Sequence, residues 1–425
     1  MYQIENTGAV LKGDIVRARR WASVSRTVVL LGLVSLFTDI SAEMVATVLP
    51  LYLVFNLGLS PLQFGAVDGV YQGAAALVRV AGGFVGDRWR RYKEVAAVGY
   101  GVSAVCKLAF LPVGAAWTAL TWIVFIDRTG KGIRTAPRDA LISLSTPRER
   151  LGTAFGVHRA LDTAGAMIGP LLAFTMLTFI VGAFDAIFVV SFCLAVIGFG
   201  ILVTFVRNPK ASSAPATGDP EEEGERASLR SAAALLLDRH FRTLVLIGSG
   251  LALATVSDGF VYLTLQRRLD FDPTYLPLLY VGTALAYMLL AIPAGRLADA
   301  VGRGRVFLAG YGLLVLGYAS LLLPTAGIGQ LFVYLFLFGA FFAATDGVLM
   351  ALASAVVPDH LRASGLSLLV SATSLARLLS SVLFGALWTA FGVDVAVGCF
   401  AGALAVAIPL AAAMLARAQG RVAYG

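Results

Sequence analysis

Several ionisable residues of this chain stand inside long apolar runs, at spacings that could do chemistry. Asp39 and Glu43 are four residues apart within 27–55, which on a helix puts both carboxylates on one face. Two acids that close favour holding a proton, so the pair is a candidate proton carrier. Asp127 and Arg128 are adjacent within 118–143, and Lys131, Arg134 and Arg138 follow. From Arg128 these cations step by three, three and four residues, one stripe along a helix. Such a stripe in a cavity wall attracts anions. Asp258 and Asp346 are single acids in the runs 241–265 and 329–356, and both are expected to line a cavity. Asp68 is a third single acid, and each of the three could carry a proton, pair with Arg79, Lys107 or Arg377, or bind a cationic substrate. His158, Arg159 and Asp162 read as a helix-end network. Arg134 and Arg138 are expected to snorkel toward lipid phosphates and to pair with acids such as Asp87 and Asp139. The bland alternative for Arg128 is a permanent ion pair with Asp39 or Glu43 that clamps two helices.

The elements that must position these groups follow from composition. Of 425 residues, 58% are hydrophobic and 14% charged, with mean hydropathy +0.83; a soluble domain is about 25% charged. A soluble enzyme, a disordered chain and a nucleic-acid module are excluded, despite the net charge of +8. A membrane helix needs about 20 apolar residues. The chain has twelve such runs: 27–55, 62–85, 95–114, 118–143, 152–179, 184–206, 241–265, 275–299, 306–324, 329–356, 364–390 and 394–416. The expectation is an all-α integral membrane protein. Residues 1–26 form an N-terminal segment, 27–206 one six-helix bundle, 207–240 a linker, 241–416 a second bundle and 417–425 a tail. The linker carries Pro209, Pro215, Pro220 and the acids Glu221, Glu222, Glu223 and Glu225; residues 228–239 are expected as a short surface helix. Basic residues fall in alternate loops, which places both termini in the cytoplasm. Trp117, Trp122 and Trp388 lie near span ends, as interfacial anchors do.

Depth separates the groups. Asp39 lies about 18 Å into its span and Arg128 about 15 Å, at 1.5 Å per residue. Both are near the middle of a core about 30 Å thick, where a charge is costly and usually functional. Charges concentrate in spans one, four, seven and ten, with none away from the ends of spans six, nine and twelve. The first set is therefore expected to line a watery cavity and the second to face lipid. The three Cys and three His are scattered, and no nucleophile–base–orienter set, metal set or Walker loop is spelled out. The chain is expected to be neither an enzyme nor an ATP-driven pump, with no cofactor and no nucleic-acid partner.

The chain also repeats itself. Residues 83–93 (GFVGDRWRRYK) and 295–305 (GRLADAVGRGR) align Gly83 with Gly295, Asp87 with Asp299 and Arg91 with Arg303. Arg150 and Arg362 share the same separation, half the chain. Two halves in one orientation are the architecture of a secondary transporter. Gly83–Tyr92 resembles the loop signature of the major facilitator superfamily, Gly-x-x-x-Asp-Arg-x-Gly-Arg-Arg. Arg90 replaces its second Gly and Tyr92 its last basic residue, and the second copy has Ala300 in place of Arg. Arg128–Gly132 resembles the family's span-four Arg-x-x-x-Gly. Gly165–Pro170 resembles its span-five Gly-x-x-x-Gly-Pro, with Ala173 and Phe174 where antiporters usually have two Gly. The run Arg128–Asp139 (RTGKGIRTAPRD) resembles a little-characterised prokaryotic branch.

The resemblance implies twelve transmembrane helices in two pseudo-symmetric six-helix bundles that alternate access to a central site. It implies a gate at Gly83, Asp87, Arg88, Arg91, Asp139, Gly295, Asp299 and Arg303, with Asp87 near the start of span eleven at Ser364. The function expected is proton-coupled export (antiport) of a small organic solute by a multi-pass protein of the plasma (inner) membrane. Uptake of an organic anion and a transport-inactive sensor are the rivals. Partners are then the small-molecule substrate, protons and the lipid bilayer, and the protein is expected as a monomer.

Overall fold

A computed structural model describes residues 25–89, 91–147, 150–180, 182–208, 235–323, 327–358 and 361–420, apart from the side chains of 77, 79–89, 362–364 and 418–420. The apolar runs become twelve helices. The first half contains α1 (Arg26–Leu51, extended by a π-turn Tyr52–Asn56), α2 (Pro61–Trp89), α3 (Tyr92–Ala109), α4 (Trp117–Leu144), α5 (Leu151–Phe179) and α6 (Phe184–Phe205). The second half contains α7a (Arg239–Leu253), α7b (Asp258–Leu269), α8 (Leu276–Val301), α9 (Arg303–Leu322), α10 (Ile328–Val356), α11 (Arg362–Phe391) and α12 (Val393–Gly420). Caps set the boundaries. Ser25 accepts from the Val28 N–H, and Asp238 accepts from the Phe241 N–H at 2.7 Å, satisfying N-terminal donors. Gly302, at φ 112°, turns the chain between α8 and α9. The N-terminal segment, the linker from 209 to 234 and the tail from 421 lie outside the described residues. Of the expected surface helix, Leu235–Leu237 forms a single 3-10 turn.

Among the described residues, nine helices are long and apolar enough to cross a membrane. The three that fall short, α2, α3 and α4, carry polar groups such as Asp68, Lys107 and the charged stripe of α4. Those groups turn inward, as the burial of Asp68, Lys107, Asp127, Arg128 and Arg134 shows.

The halves repeat one packing plan. In the first, α1 packs on α5, α2 on α4, and α3 on α4 and α6; in the second, α7a packs on α11, α8 on α10, and α9 on α10 and α12. Two seams join them, α2 with α11 and α5 with α8. The α2–α11 seam is drawn tight by glycines: a Cβ at Gly65 would sit 2.5 Å from the Ser381 carbonyl, and one at Gly69 2.7 Å from the Leu378 carbonyl. Small residues permit this backbone approach. Near the face away from the termini, Phe64 meets Phe260 edge-on at 4.7 Å, and Phe260 meets Phe384 at 4.8 Å. On the other seam Phe174 and Tyr275 meet at 5.7 Å on the same face.

One break was not foreseen. The seventh span is interrupted at 254–257. Ser380 donates to the Thr255 carbonyl, and the Val256 N–H donates to the Tyr318 hydroxyl at 2.7 Å. These side chains replace the helical bonds that the break removes. Trp388 also departs from expectation: it is buried against Phe260 and Phe384 and not at a lipid interface.

A candidate binding cavity between the halves

In the charged stripe of α4, Arg128, Arg134 and Arg138 each face an acid within 4.0 Å, and among the described residues Lys131 does not. Asp127 is its centre. Its Oδ1 accepts from Lys107 Nζ at 2.8 Å and from Ser103 Oγ at 2.6 Å, and its Oδ2 accepts from Arg128 Nη2 at 2.7 Å and Nε at 3.0 Å. All three ions are buried. The Arg128 guanidinium also lies 4.1 Å from the centre of the Tyr71 ring, a cation–π contact made from α2. Arg128 thus pairs with its neighbour in sequence and with neither Asp39 nor Glu43. Close α3–α4 packing makes this possible, since a Cβ at Gly130 would fall 2.7 Å from the Gly99 carbonyl.

Arg134 does not snorkel. It is buried, stacks 4.4 Å from the Tyr100 ring centre and faces Asp39 at 3.8 Å. The fold supplies an aromatic face and an acid inside the bundle, so the guanidinium need not reach lipid headgroups. Arg138 pairs with Asp139 at 2.9 Å and approaches Asp162 at 3.9 Å. Next to it Ser35 and His158 are hydrogen-bonded at 2.8 Å in a buried α1–α5 contact. Lys131 makes no ion pair within 4.0 Å among the described residues and is half-buried, with Asp39 and Glu43 as its acidic neighbours.

The two acids of α1 have different surroundings. Asp39 has Asp162 of α5 as an acidic neighbour and faces Arg134 at 3.8 Å, while Asp162 faces Arg138 at 3.9 Å. Glu43, one turn further, lines the cavity. Helix α5 presses on α1 at these two residues: a Cβ at Gly165 would lie 3.2 Å from the Asp39 Cβ, and one at Gly169 2.9 Å from the Glu43 Cβ.

The cavity itself lies between the halves and measures about 170 Å³. Glu43 and Pro50 of α1, Phe64, Asp68 and Tyr71 of α2, Asp258 of α7b and Tyr280 of α8 border it. Three carboxylates and three rings thus face one space, and no Lys or Arg lines it. Asp68 is buried and its Oδ2 accepts from Ser381 Oγ of α11 at 2.6 Å. Asp258 is the first residue of α7b, where the positive end of a helix favours an acid. Asp346 faces Arg377 at 3.8 Å, with both side chains partly exposed.

At the gate positions, Asp299 pairs with Arg303 at 3.2 Å on an exposed surface, and Arg303 also reaches the Ala351 carbonyl. Gly295 has open space around its Cα. Arg91 is exposed at the start of α3, and Asp139 is engaged by Arg138. The side chains of Gly83, Asp87 and Arg88, and that of Ser364, lie outside the described residues. Sequence reasoning passed over Tyr71 and Gln72, although both share a helical face with Asp68 at the i+3 and i+4 positions. It also took Asp162 for a helix-end group. The Ser257–Asp258 pair carried a helix-start signal that marks the break.

Residues 31–273 and 255–422 match the Major Facilitator Superfamily. An uncharacterised MFS-type transporter of Methanocaldococcus jannaschii is 31% identical over 376 residues, 86% of this chain and 89% of that protein. An uncharacterised protein of Mycobacterium tuberculosis is 35% identical over 170 residues, 39% of this chain and 41% of that protein. Among solved structures, the nucleoside transporter NupG superposes with a TM-score of 0.72 at 17% identity, over 92% of this chain and 99% of its own. A mutant form of the peptide transporter POT superposes at 0.70 with 15% identity, over 92% of this chain and 94% of its own. At such identities these structures establish the fold alone.

Proposed function

The chain belongs to the Major Facilitator Superfamily, and from this premise, that it is a multi-pass membrane transporter and not an enzyme, we propose proton-coupled export of a small organic cation. The observation that carries the reading is the cavity lining, where Glu43, Asp68 and Asp258 face Phe64, Tyr71 and Tyr280 without a basic residue. Carboxylates attract an ammonium group, and ring faces add cation–π attraction when water is excluded. The α4 cations do not offset this, because Asp127, Asp39 and Asp139 engage Arg128, Arg134 and Arg138.

Antiport then needs an acid that exchanges its proton for the solute. Glu43 fits, being at the cavity edge and one turn from Asp39. The alternating access is a rocking of the two halves. Its far-face closure is the ring cluster of Phe64, Phe260, Phe384 and Trp388. Alternate-loop Arg residues support cytoplasmic termini and residence in the plasma membrane. One chain encloses the cavity, so a monomer suffices.

Lys131 supports a second reading, uptake of an organic anion, since its ammonium lacks an ion pair among the described residues. The two separate in proteoliposomes with an imposed pH gradient. Radiolabelled tetraethylammonium should move against its gradient and p-aminohippurate should not. Movement of the anion alone establishes the second reading, and movement of neither removes both.

A further inference from the structure

The main cavity sets two conditions on what it can hold. The first is size. At about 170 Å³ it takes on the order of six to eleven non-hydrogen atoms, if each needs about 15–30 Å³ as a water does. The second is the wall, which is of two kinds. Leu49, Pro50 and Phe64 contribute apolar surface, whereas Glu43, Asp68 and Asp258 bring carboxylates from three helices.

The three carboxylates are not equivalent. Glu43 has Lys131 and Arg128 as cationic neighbours. Asp68 is 8% exposed and has no Lys or Arg partner among the described residues; Ser381, Ser257 and Gln72, all neutral, surround it. Asp258 makes no ion pair within 4.0 Å among the described residues, and Arg377, the cation that bears on it, faces Asp346 at 3.8 Å. A buried carboxylate is normally paired or coordinated. Two acids, one from each half, thus border one space without a counter-charge of their own. A solute with a single positive charge leaves one of them unmet.

We propose that the cation carried is a short aliphatic diamine, with one ammonium at Asp68 and the other at Asp258; this rests on the organic-cation reading above and narrows it to a solute class. A dication matches the two acids charge for charge. Its methylenes pack on Leu49, Pro50 and Phe64, and the Tyr280 ring adds cation–π attraction. A butane or pentane diamine is within the capacity of the cavity, and a long polyamine such as spermine exceeds it. Glu43 remains for the proton. Asp68 is on α2 and Asp258 on α7b, so a diamine is held by both halves at once. A site built for two ammonium groups discriminates against a monoamine, because one buried acid is then left unpaired.

Titration calorimetry on the purified full-length protein in detergent tests this, with putrescine, its monoamine counterpart butylamine, and tetraethylammonium as ligands. Putrescine should bind about tenfold more tightly than butylamine or better, the worth of one further hydrogen bond between charged groups. In Asp258→Asn that preference should fall to near parity, whatever the absolute affinities. Asp68→Asn should do the same, but it also disturbs the bond from Ser381, so Asp258→Asn decides the matter if Asp68→Asn does not fold. Equal wild-type affinity for putrescine and butylamine, or an undiminished preference in Asp258→Asn, overturns the proposal. If tetraethylammonium still binds and follows an imposed pH gradient in proteoliposomes, the organic-cation reading survives that result. If none of the three ligands binds and tetraethylammonium does not move, that reading falls and this one with it.

Discussion

Helices α4 and α10 hold equivalent places in the two halves, each packed on its second and third neighbours of the repeat. Their contents differ. Helix α4 carries Asp127, Arg128, Lys131, Arg134, Arg138 and Asp139, whereas α10 carries only Asp346. The first half buries a cross-linked ion network; the second, among the described residues, has the partly exposed pairs Arg268–Asp394, Asp299–Arg303 and Asp346–Arg377 and a broken helix. Duplication has kept the packing and separated the roles. Buried ions that satisfy one another hold helices in register, so in the cycle proposed above the first half is the rigid body and holds the proton-exchanging acid. The second half contributes the α7 break and the acid at its mouth, an element able to move.

The sharpest way to break this comparison is to remove matching acids. Asp127→Asn leaves Lys107 and Arg128 buried without their counter-charge, and breaking such a pair costs about 3–5 kcal/mol. Asp346→Asn loosens a partly exposed pair worth about 0–1 kcal/mol. Thermal unfolding in detergent should show a large drop for the first and little change for the second. Equal drops would mean that the halves are held together in the same way.

The seams give the next effect. Gly65→Val places a branched side chain where a single Cβ would already sit 2.5 Å from the Ser381 carbonyl. Overpacking of this kind costs about 1–3 kcal/mol, and it should push α2 from α11 and raise labelling of a cysteine placed near Phe64 from the far face. Gly156→Val on α5, with nothing within 4 Å of its Cβ, should leave both stability and labelling alone.

Smaller still is the surface gate. Asp299 and Arg303 form an exposed i,i+4 pair, worth about 0.3–0.5 kcal/mol. Asp299→Asn should change unfolding within error and shift cysteine accessibility from the terminal face only slightly. Asp87→Asn is expected to shift it more, because its copy of the loop retains the Arg at 88 that Ala300 replaces. The reverse order would retire the gate assigned to the first loop.

The fold was legible in the chain because membrane helices are written as apolar length, and the repeat is written as matched loop residues. Twelve expected spans correspond to twelve helices with ends a few residues apart. Rarity also marked the charges of α1 and α4. Their partners were not legible, because pairing depends on register between helices distant in sequence. Nothing near Arg134 announces that Asp39 and Tyr100 will enclose it. Nothing near Asp39 announces Asp162, brought to it by α5. Arg128 is the opposite case: its acid is not on a distant helix but is the adjacent Asp127. The α7 break escaped notice because an apolar run conceals it, and only Ser257 followed by Asp258 hinted at a new helix start.

The central claim is that an acid-lined cavity exchanges protons for an organic cation, with Glu43 as the exchanging group. Proteoliposomes loaded with buffer and diluted to impose a pH gradient test it directly, with radiolabelled tetraethylammonium as solute and the gradient orientation reversed as control. The wild type should concentrate the cation on the acidic side and lose this when the gradient is collapsed. Glu43→Gln should abolish concentration while still exchanging labelled for unlabelled cation. Concentration by Glu43→Gln equal to that of the wild type, or no gradient-driven movement of the cation by the wild type, would contradict the account.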